Sequence, residues 1–236
     1  MNNQIKTAVI LAAGKGNRLA GVVDDIPKPM ININGRPILE HNLLSLKNIG
    51  VTNIYLNLHQ LPEVIKNYFG NGEKFGVKIT YSFEPELLGT AGALNNFRPY
   101  LSEKPFMLIY GDNLINFDLV SLINFHVKKD GLAALGLYYR EEVHLSGVVE
   151  TSTDGLITRF VEKPLAGSES SHWVNTGVYV LAPKILDYIP SAGRTDFGKD
   201  LFPGLIKKGE KLYGLKVNGQ VIPIDTPKLL EIARGE

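Results

Sequence analysis

The sequence predicts an α/β fold, a mainly parallel sheet covered by helices on both faces, on three observations. Apolar runs of strand length alternate with helical patterns over the first 130 residues. The first run lies in TAVILAAGKGNR, Thr7 to Arg18, and empties into a glycine-rich turn. A later one, Phe106 to Tyr110, ends in Gly111-Asp112-Asn113. In such sheets ligands collect beyond the carboxyl ends of the strands, so the glycine turn and Asp112 are expected to share one crevice.

Taken in order, Asp25 to Met30 (DIPKPM) is expected to be extended, because two prolines disfavour a helix. Asn34-Gly35 is a turn, and Pro37 suits the start of a helix over Ile38 to Asn48. Leu39, Leu43 and Leu46 share one face of it and Gly50 ends it. Ile54 to Leu58 is a strand, and Leu61, Val64, Ile65, Tyr68 and Phe69 mark an amphipathic helix beginning at Pro62. Val77 to Phe83 alternates as a strand, and the LLGTAGAL stretch leads into another helix. Beyond it come strands over Leu132 to Tyr139 and Val174 to Leu181. Between these lies a hairpin of Gly147 to Thr151 and Leu156 to Glu162, closed by Asp154-Gly155. Leu165 to His172 is a polar loop, and helices over Lys199 to Lys208 and Thr226 to Ala233 finish the chain. With no repeat and no linker, residues 1–236 are expected to form one domain, 131–236 being a substrate-binding extension of the sheet in 1–130.

Composition narrows the function. A chain of 236 residues with 44% hydrophobic and 21% charged residues can bury a sizeable core. A net charge of +1 gives no sign of nucleic acid or an acidic membrane as partner. Cysteine is absent, which excludes disulfides, thiolate metal sites and thiol nucleophiles and suits a cytoplasmic protein. The N-terminal apolar run falls short of the roughly 18 residues that a membrane span needs.

Gly14 and Gly16 could cradle a phosphate with backbone N–H groups, or serve only as turn glycines. The turn is neither a Walker loop, since Asn17-Arg18-Leu19 stands where Gly-Lys-Ser/Thr belongs, nor a dinucleotide fingerprint, since Leu19 replaces the third glycine. Arg18 and Lys28 are the cations a polyphosphate needs, and the flanking prolines would hold Lys28 rigidly. Asp112 reads as a hard oxygen ligand or a turn cap; Asp225 reads as a second ligand or the N-cap of the last helix. Glu162-Lys163 is either a site pair or a surface pair. Trp173 could line a sugar or pack. The five histidines show no ligand spacing, and no serine sits in a nucleophile elbow.

LAAGKGNRL, IPKPM, LLGTAGAL, GDN, SGVVE, FVEKP, VNTGVYVL, DFGKDLFPGLI and IDTP follow one another over nearly the whole chain. In this series the chain resembles the sugar-phosphate nucleotidyltransferases, which include the glucose-1-phosphate thymidylyltransferases and mannose-1-phosphate guanylyltransferases. The resemblance implies a single-domain, Rossmann-like, mixed but mainly parallel sheet flanked by helices. It also implies transfer from a nucleoside triphosphate to a sugar 1-phosphate with loss of pyrophosphate.

Carried over by position, Leu11, Ala12, Ala13, Gly14, Lys15, Gly16 and Asn17 would hold the nucleotide, as would Gly89, Thr90 and Ala91. Arg18, Lys28, Asp112 and Lys163 would be catalytic, and Asp112 with Asp225 would bind Mg2+. Asn113, Gly147, Glu162, Asn175 and Thr176 would meet the sugar. LLGTAGAL resembles the enzymes that use GTP with mannose- or heptose-type 1-phosphates, so guanylyltransfer is expected, with thymidylyl, uridylyl and cytidylyl transfer as alternatives. No nucleic acid or membrane partner is implied, and a homodimer is the assembly left open.

The chain departs from the pattern in three places. Ala12-Ala13 replaces Gly-Gly, Asn17 replaces threonine in the loop, and IDTP lacks a glycine after the aspartate. No β-helix or acyltransferase extension is expected. A non-catalytic sensor would have lost a carboxylate or a loop cation, whereas Arg18, Lys28, Asp112 and Lys163 are all present.

Overall fold

The computed structural model describes residues 5–14 and 26–235. In chain order the strands are β1 (Thr7–Leu11), β2 (Asn32–Ile33), β3 (Arg36–Pro37), β4 (Asn53–Leu58), β5 (Lys78–Phe83), β6 (Phe106–Tyr110) and β7 (Asn113–Phe117). After them come β8 (Ala133–Tyr139), β9 (Gly147–Thr151), β10 (Ile157–Glu162), β11 (Trp173–Leu181), β12 (Leu212–Lys216) and β13 (Gly219–Pro223). The helices are α1 (Ile38–Asn48), α2 (Pro62–Phe69), α3 (Gly89–Gly92), α4 (Arg98–Leu101), α5 (Leu119–Lys129), α6 (Phe202–Lys207) and α7 (Pro227–Arg234). The chain separates into two compact units. The first comprises the residues up to Leu87, then Ile109–Asn116, and the chain from Gln220 onward; the second comprises Leu88–Leu108 and Phe117–Gly219.

The first unit is parallel at its centre. β1 pairs with β4 and β4 with β5, in registers such as Val9 opposite Tyr55 and Ile54 opposite Ile79. β1 is buried along Ala8, Val9 and Ile10, as a strand covered on both faces must be. α1 buries Leu39, Leu43 and Leu46 as their spacing predicts. It ends where Gly50 takes a φ of +92°, donating to the Lys47 carbonyl at 2.9 Å while Val51 donates to Leu46 at 3.1 Å. Asn34 and Gly35, both at positive φ, make the tight turn between β2 and β3. A small core of Ile31, Ile33 and Ile38 with Ile224, Leu230 and Ala233 seats α7 against this hairpin. Thr226 caps α7, its hydroxyl accepting the Leu229 N–H at 3.3 Å.

One expectation in this unit changes. Asp25 to Met30 was expected to be wholly extended, but Lys28–Met30 is a 3-10 turn after an extended Pro27. Met30 donates to the Pro27 carbonyl at 2.7 Å and Ile31 to that of Lys28 at 3.0 Å. Pro29 is tolerated because an N–H inside so short a turn has no partner to lose. β7 and its partner β13 were not anticipated.

The second unit is mostly antiparallel. β9 and β10 form the expected hairpin, with Gly155 at φ +89°. β8 pairs antiparallel with β11 and parallel with β12. Between Asn175 and Tyr179 β11 spends four residues against two of β8, from Leu137 to Leu135, which makes a bulge. Tyr179, Phe197, Phe202 and Phe160 form an aromatic core with ring centroids 5.1–5.4 Å apart.

Two expected helices are broken here. LLGTAGAL itself holds α3, and the helix expected after it is a 3-10 stretch Ala93–Phe97 followed by α4, whose start carries Pro99 without an N–H for the ladder. The expected helix at Lys199 begins as a π-helical turn, Phe197–Leu201, and becomes α6 only at Phe202, beside Pro203.

Gly111 sits where β6 runs out beside β1. Its N–H donates to the Leu11 carbonyl at 2.8 Å, and a methyl group on it would lie 2.8 Å from that same oxygen. Gly111→Ala is therefore expected to destabilise the protein by about 1–3 kcal/mol in urea unfolding. Gly204→Ala is expected to be neutral or stabilising by up to ~1 kcal/mol, since among the described residues its Cβ would meet nothing within 4 Å on α6. Equal effects at the two positions would refute the close approach of β1 and the residue after β6.

Candidate functional site

In the first unit three residues far apart in sequence gather at the carboxyl ends of β1 and β6. The Lys28 ammonium, 8% exposed, donates to Asp112 Oδ2 at 3.4 Å and to Asp225 Oδ1 over a shorter distance. The backbone fixes this arrangement. The Ile224 N–H donates to the carbonyl of Asp112 itself at 3.0 Å, setting the residue before Asp225 against Asp112. Asn42, buried on α1, donates to the Asn113 carbonyl at 2.9 Å and anchors the segment from the other side. Thr226 caps α7, while the Asp225 carboxylate accepts from Lys28. Burial pushes the Asp112 carboxyl above its ordinary range, and the Lys28 charge beside it pulls the other way.

The start of the glycine turn is held by a buried relay. Asn57 on β4 accepts the Ala12 N–H at 2.8 Å and donates to the Glu84 carboxylate at 2.9 Å. Asn57 and Glu84 are both buried, and the Glu84 carbonyl accepts from or faces His59 Nδ1 at 2.8 Å. The Ala12 N–H thus leaves the sheet held in place, and among the described residues nothing stands within 4 Å of where a Gly14 side chain would be. Lys15, Gly16, Asn17 and Arg18 lie outside the described residues.

Asp112 and Asp225 suit a magnesium ion: two hard carboxylates converge on a single cation, and magnesium favours one or two carboxylates completed by phosphate oxygens and water. Among the described residues no cluster of three or more His, Cys, Asp and Glu offers a fuller protein cage.

The second unit gathers the other predicted residues into two groups. Gly89, Thr90 and Ala91 form α3. Ala91 and Gly92 donate to the Thr195 carbonyl at 2.9 and 3.0 Å, and Thr195 donates to Leu88 at 2.9 Å. Gly89 has φ +82°, and a methyl group there would lie 2.4 Å from the Thr195 oxygen. Only glycine fits, for backbone and for space.

Glu162 ends β10 opposite Gly147 on β9. Methyl groups at Gly147 or Gly198 would lie 2.9 or 2.5 Å from a Glu162 carboxylate oxygen, so two bare backbone segments flank it. Burial raises the Glu162 carboxyl, and Lys163 and Lys199 oppose that rise. Lys163 itself is left-handed at φ +50°, a strained state for a side-chain-bearing residue, and its N–H donates to Ser146 at 3.0 Å.

Asn175 opens the β11 bulge. It donates to the Tyr179 hydroxyl at 2.6 Å and accepts the Gly177 N–H at 3.0 Å. Thr176 is fully buried and donates to the Gly136 carbonyl at 2.9 Å, so it shapes the bulge. Trp173 meets Tyr139 edge-on at 5.9 Å under the Lys216 ammonium. Asn42, Asn57, Glu84 and Lys199 escaped sequence reasoning; only the polar residues inside the apolar runs NIYLNL and ILEHNLL marked the first two.

A buried lysine bridging two carboxylates at the carboxyl ends of β1 and β6 puts a cluster of charge where α/β sheets collect their ligands. The nucleotidyl transferase family profile matches residues 7–221, and the chain belongs to that family. It is 37% identical to the UTP–glucose-1-phosphate uridylyltransferase of Synechocystis over 97% of this chain and 62% of that protein. With the mannose-1-phosphate guanyltransferase beta-A of Xenopus laevis identity is 33%, over 94% of this chain and 61% of that one. The chain thus spans about three-fifths of the length of these curated relatives.

Among solved structures it resembles HddC from Yersinia pseudotuberculosis, with a TM-score of 0.82 and 28% identity over 98% of this chain and 99% of that one. A UDP-glucose pyrophosphorylase complexed with UDP-glucose gives a TM-score of 0.85 at 18% identity, covering 98% and 97%, a likeness of fold alone. That shared fold is the mixed, mainly parallel sheet flanked by helices that the sequence predicted.

The raised Glu162 carboxyl fixes a sign. A carboxyl raised in the folded state contributes its full share below the ordinary value of 4.5, and that share is lost as pH rises through the folded value. Glu162→Gln escapes this loss. The variant is therefore expected to gain stability relative to wild type between pH 4 and pH 7 in urea melts. A pH-independent difference would remove the burial argument.

Proposed function

We propose that the chain is a sugar-1-phosphate nucleotidyltransferase domain, joining a nucleoside triphosphate to a sugar 1-phosphate and releasing pyrophosphate. The convergence of Asp112 and Asp225 on Lys28 is the single observation that carries this reading. An oxygen of the sugar 1-phosphate attacks the α-phosphorus in line as the bond to pyrophosphate breaks, so no protein nucleophile is required. The absence of cysteine agrees with that chemistry and with a cytoplasmic setting.

Magnesium held by Asp112 and Asp225 would supply charge neutralisation to the triphosphate. Lys28 would lend its ammonium to the developing charge, its turn already fixed by the Pro27 and Lys28 carbonyls. Arg18 would attend the leaving pyrophosphate. Leu11 to Asn17 would cradle the phosphates; Gly89, Thr90 and Ala91 would meet base and ribose. Lys163 would bind the sugar phosphate, and Asn113, Gly147, Glu162, Asn175 and Thr176 would surround the sugar, with Thr176 acting by holding the bulge.

Guanylyltransfer to a mannose- or heptose-type 1-phosphate is the first choice of substrates. The LLGTAGAL stretch supports it, as does the structural likeness to HddC solved with GMP-PN, 28% identical with a TM-score of 0.81. Uridylyltransfer to glucose 1-phosphate is the second, supported by the 37% identity to the Synechocystis uridylyltransferase. The proposed product is an activated sugar for polysaccharide assembly.

Pyrophosphate release is the test, measured with each triphosphate, Mg2+ and a panel of sugar 1-phosphates. One pair should turn over well above the rest; binding without release would mark a sensor, and no response to any pair would refute the reading. Lys28→Ala is expected to lower turnover at least about 100-fold, the scale of one preorganised charge-stabilising group. Asp112→Asn is expected to abolish the magnesium response while keeping a wild-type circular dichroism spectrum. A wild-type metal titration in that variant would remove Asp112 from the site.

A further inference from the structure

The DFGKDLFPGLI stretch has no role in the reaction so far, yet it is wound into the base-contacting turn. Asp196 Oδ1 accepts both the Thr90 N–H, at 3.1 Å, and the Thr90 hydroxyl, at 3.4 Å. The same hydroxyl accepts the Phe197 N–H at 2.9 Å. The other carboxylate oxygen of Asp196 faces Arg194 at 3.3 Å, an exposed partner whose contribution water screens. The backbone of Asp196 is tied down separately: its N–H donates to Asp200 at 2.7 Å, and its carbonyl accepts Asp200 and Leu201 at 3.0 and 3.1 Å. The carboxylate is therefore presented from a rigid π-helical turn.

We infer that Asp196 is a positioning residue for nucleotide recognition, holding Thr90 and with it the Gly89–Ala91 backbone in the orientation that meets base and ribose. The inference rests on the transferase reading for the identity of the ligand, but the brace itself is a property of this unit. α3 is a single turn with no side-chain cap of its own, and Gly89 at positive φ gives it a flexible entry. Two bonds to one carboxylate and two to the Thr195 carbonyl replace what a longer helix would supply internally. An anionic acceptor makes the Thr90 bonds stronger than neutral ones.

The test is steady-state kinetics with each substrate varied, paired with hydrogen exchange across residues 88–92, on wild type, Asp196→Ala and Asp196→Asn. Asp196→Ala should raise the triphosphate KM about 10- to 100-fold, the size of a charge-assisted hydrogen bond. Its kcat and sugar 1-phosphate KM should move less than about threefold, and exchange at Thr90 should accelerate. Asp196→Asn keeps the acceptor oxygen and should fall between the two.

Triphosphate KM and exchange both unchanged in Asp196→Ala would overturn the inference. So would a rise confined to the sugar 1-phosphate KM, which would make Asp196 a sugar contact. If wild type released no pyrophosphate with any pair, the transferase reading would fall, while the exchange comparison would still judge the brace. Should Asp196→Ala not fold, Thr90→Ser against Thr90→Val decides: near-wild-type triphosphate KM with serine and a raised one with valine support it, and equal values overturn it.

Discussion

A lysine ammonium withdrawn from water between two carboxylates is the constraint on which the first unit depends. An ion of that size is costly to bury unless it is paired and hydrogen-bonded, and with two carboxylates in reach Lys28 keeps a partner if one is lost. Lys28 at 8% exposure satisfies the condition only if the 3-10 turn, the segment after β6 and the segment before α7 arrive together. The Ile224 to Asp112 backbone bond and the Ile31–Ile224–Leu230 core are what make them arrive. Apolar packing supplies the stability, and the ion pairs favour the arrangement in which the buried Lys28 ammonium is paired.

How much of this was legible in the sequence depends on how local the cause is. The bounds of α1 and the start and apolar face of α2 were legible, because a proline start and an apolar stripe are written within a dozen positions. Asp112 was legible because it follows an apolar run; Asp225 was ambiguous because an aspartate before Thr-Pro is equally good as a cap. In three dimensions Thr226 takes the cap, and the Asp225 carboxylate meets the Lys28 ammonium. Asn57 and Glu84 carry no local mark of their role, since the N–H they serve belongs to Ala12, far away in sequence. The broken helices over 89–101 and 197–207 were misread for a related reason. Periodicity registers the buried face, whereas the hydrogen-bond ladder is decided by Pro99 and Pro203.

Close backbone approach recurs wherever a predicted site residue is placed. Gly111 lets the chain after β6 lie against the Leu11 carbonyl, Gly89 lets α3 lie against Thr195, and Gly147 and Gly198 clear both sides of Glu162. In each case a methyl group would come within 3 Å of an oxygen atom. At Gly111 and Gly89 that oxygen is backbone, so glycine there is a spatial requirement, and only Gly89 also needs its left-handed backbone.

The two units divide the demands of the proposed reaction by kind of interaction. Phosphoryl-type transfer asks for charge neutralisation at the phosphates and for geometric recognition at base and sugar. The first unit concentrates charge: one buried ammonium and two carboxylates, on backbone that three long-range hydrogen bonds hold still. The second unit concentrates shape: a single-turn helix, a two-residue bulge and one carboxylate walled by glycines. Charge acts through distance with little regard for orientation, so the residues that neutralise phosphate can serve any triphosphate. Hydrogen bonds depend steeply on geometry, so under the proposed reading the turn at Thr90 and the surroundings of Glu162 are the elements that would discriminate base and sugar. Substitutions in and around these elements are where members of one family can part in substrate while keeping the same chemistry.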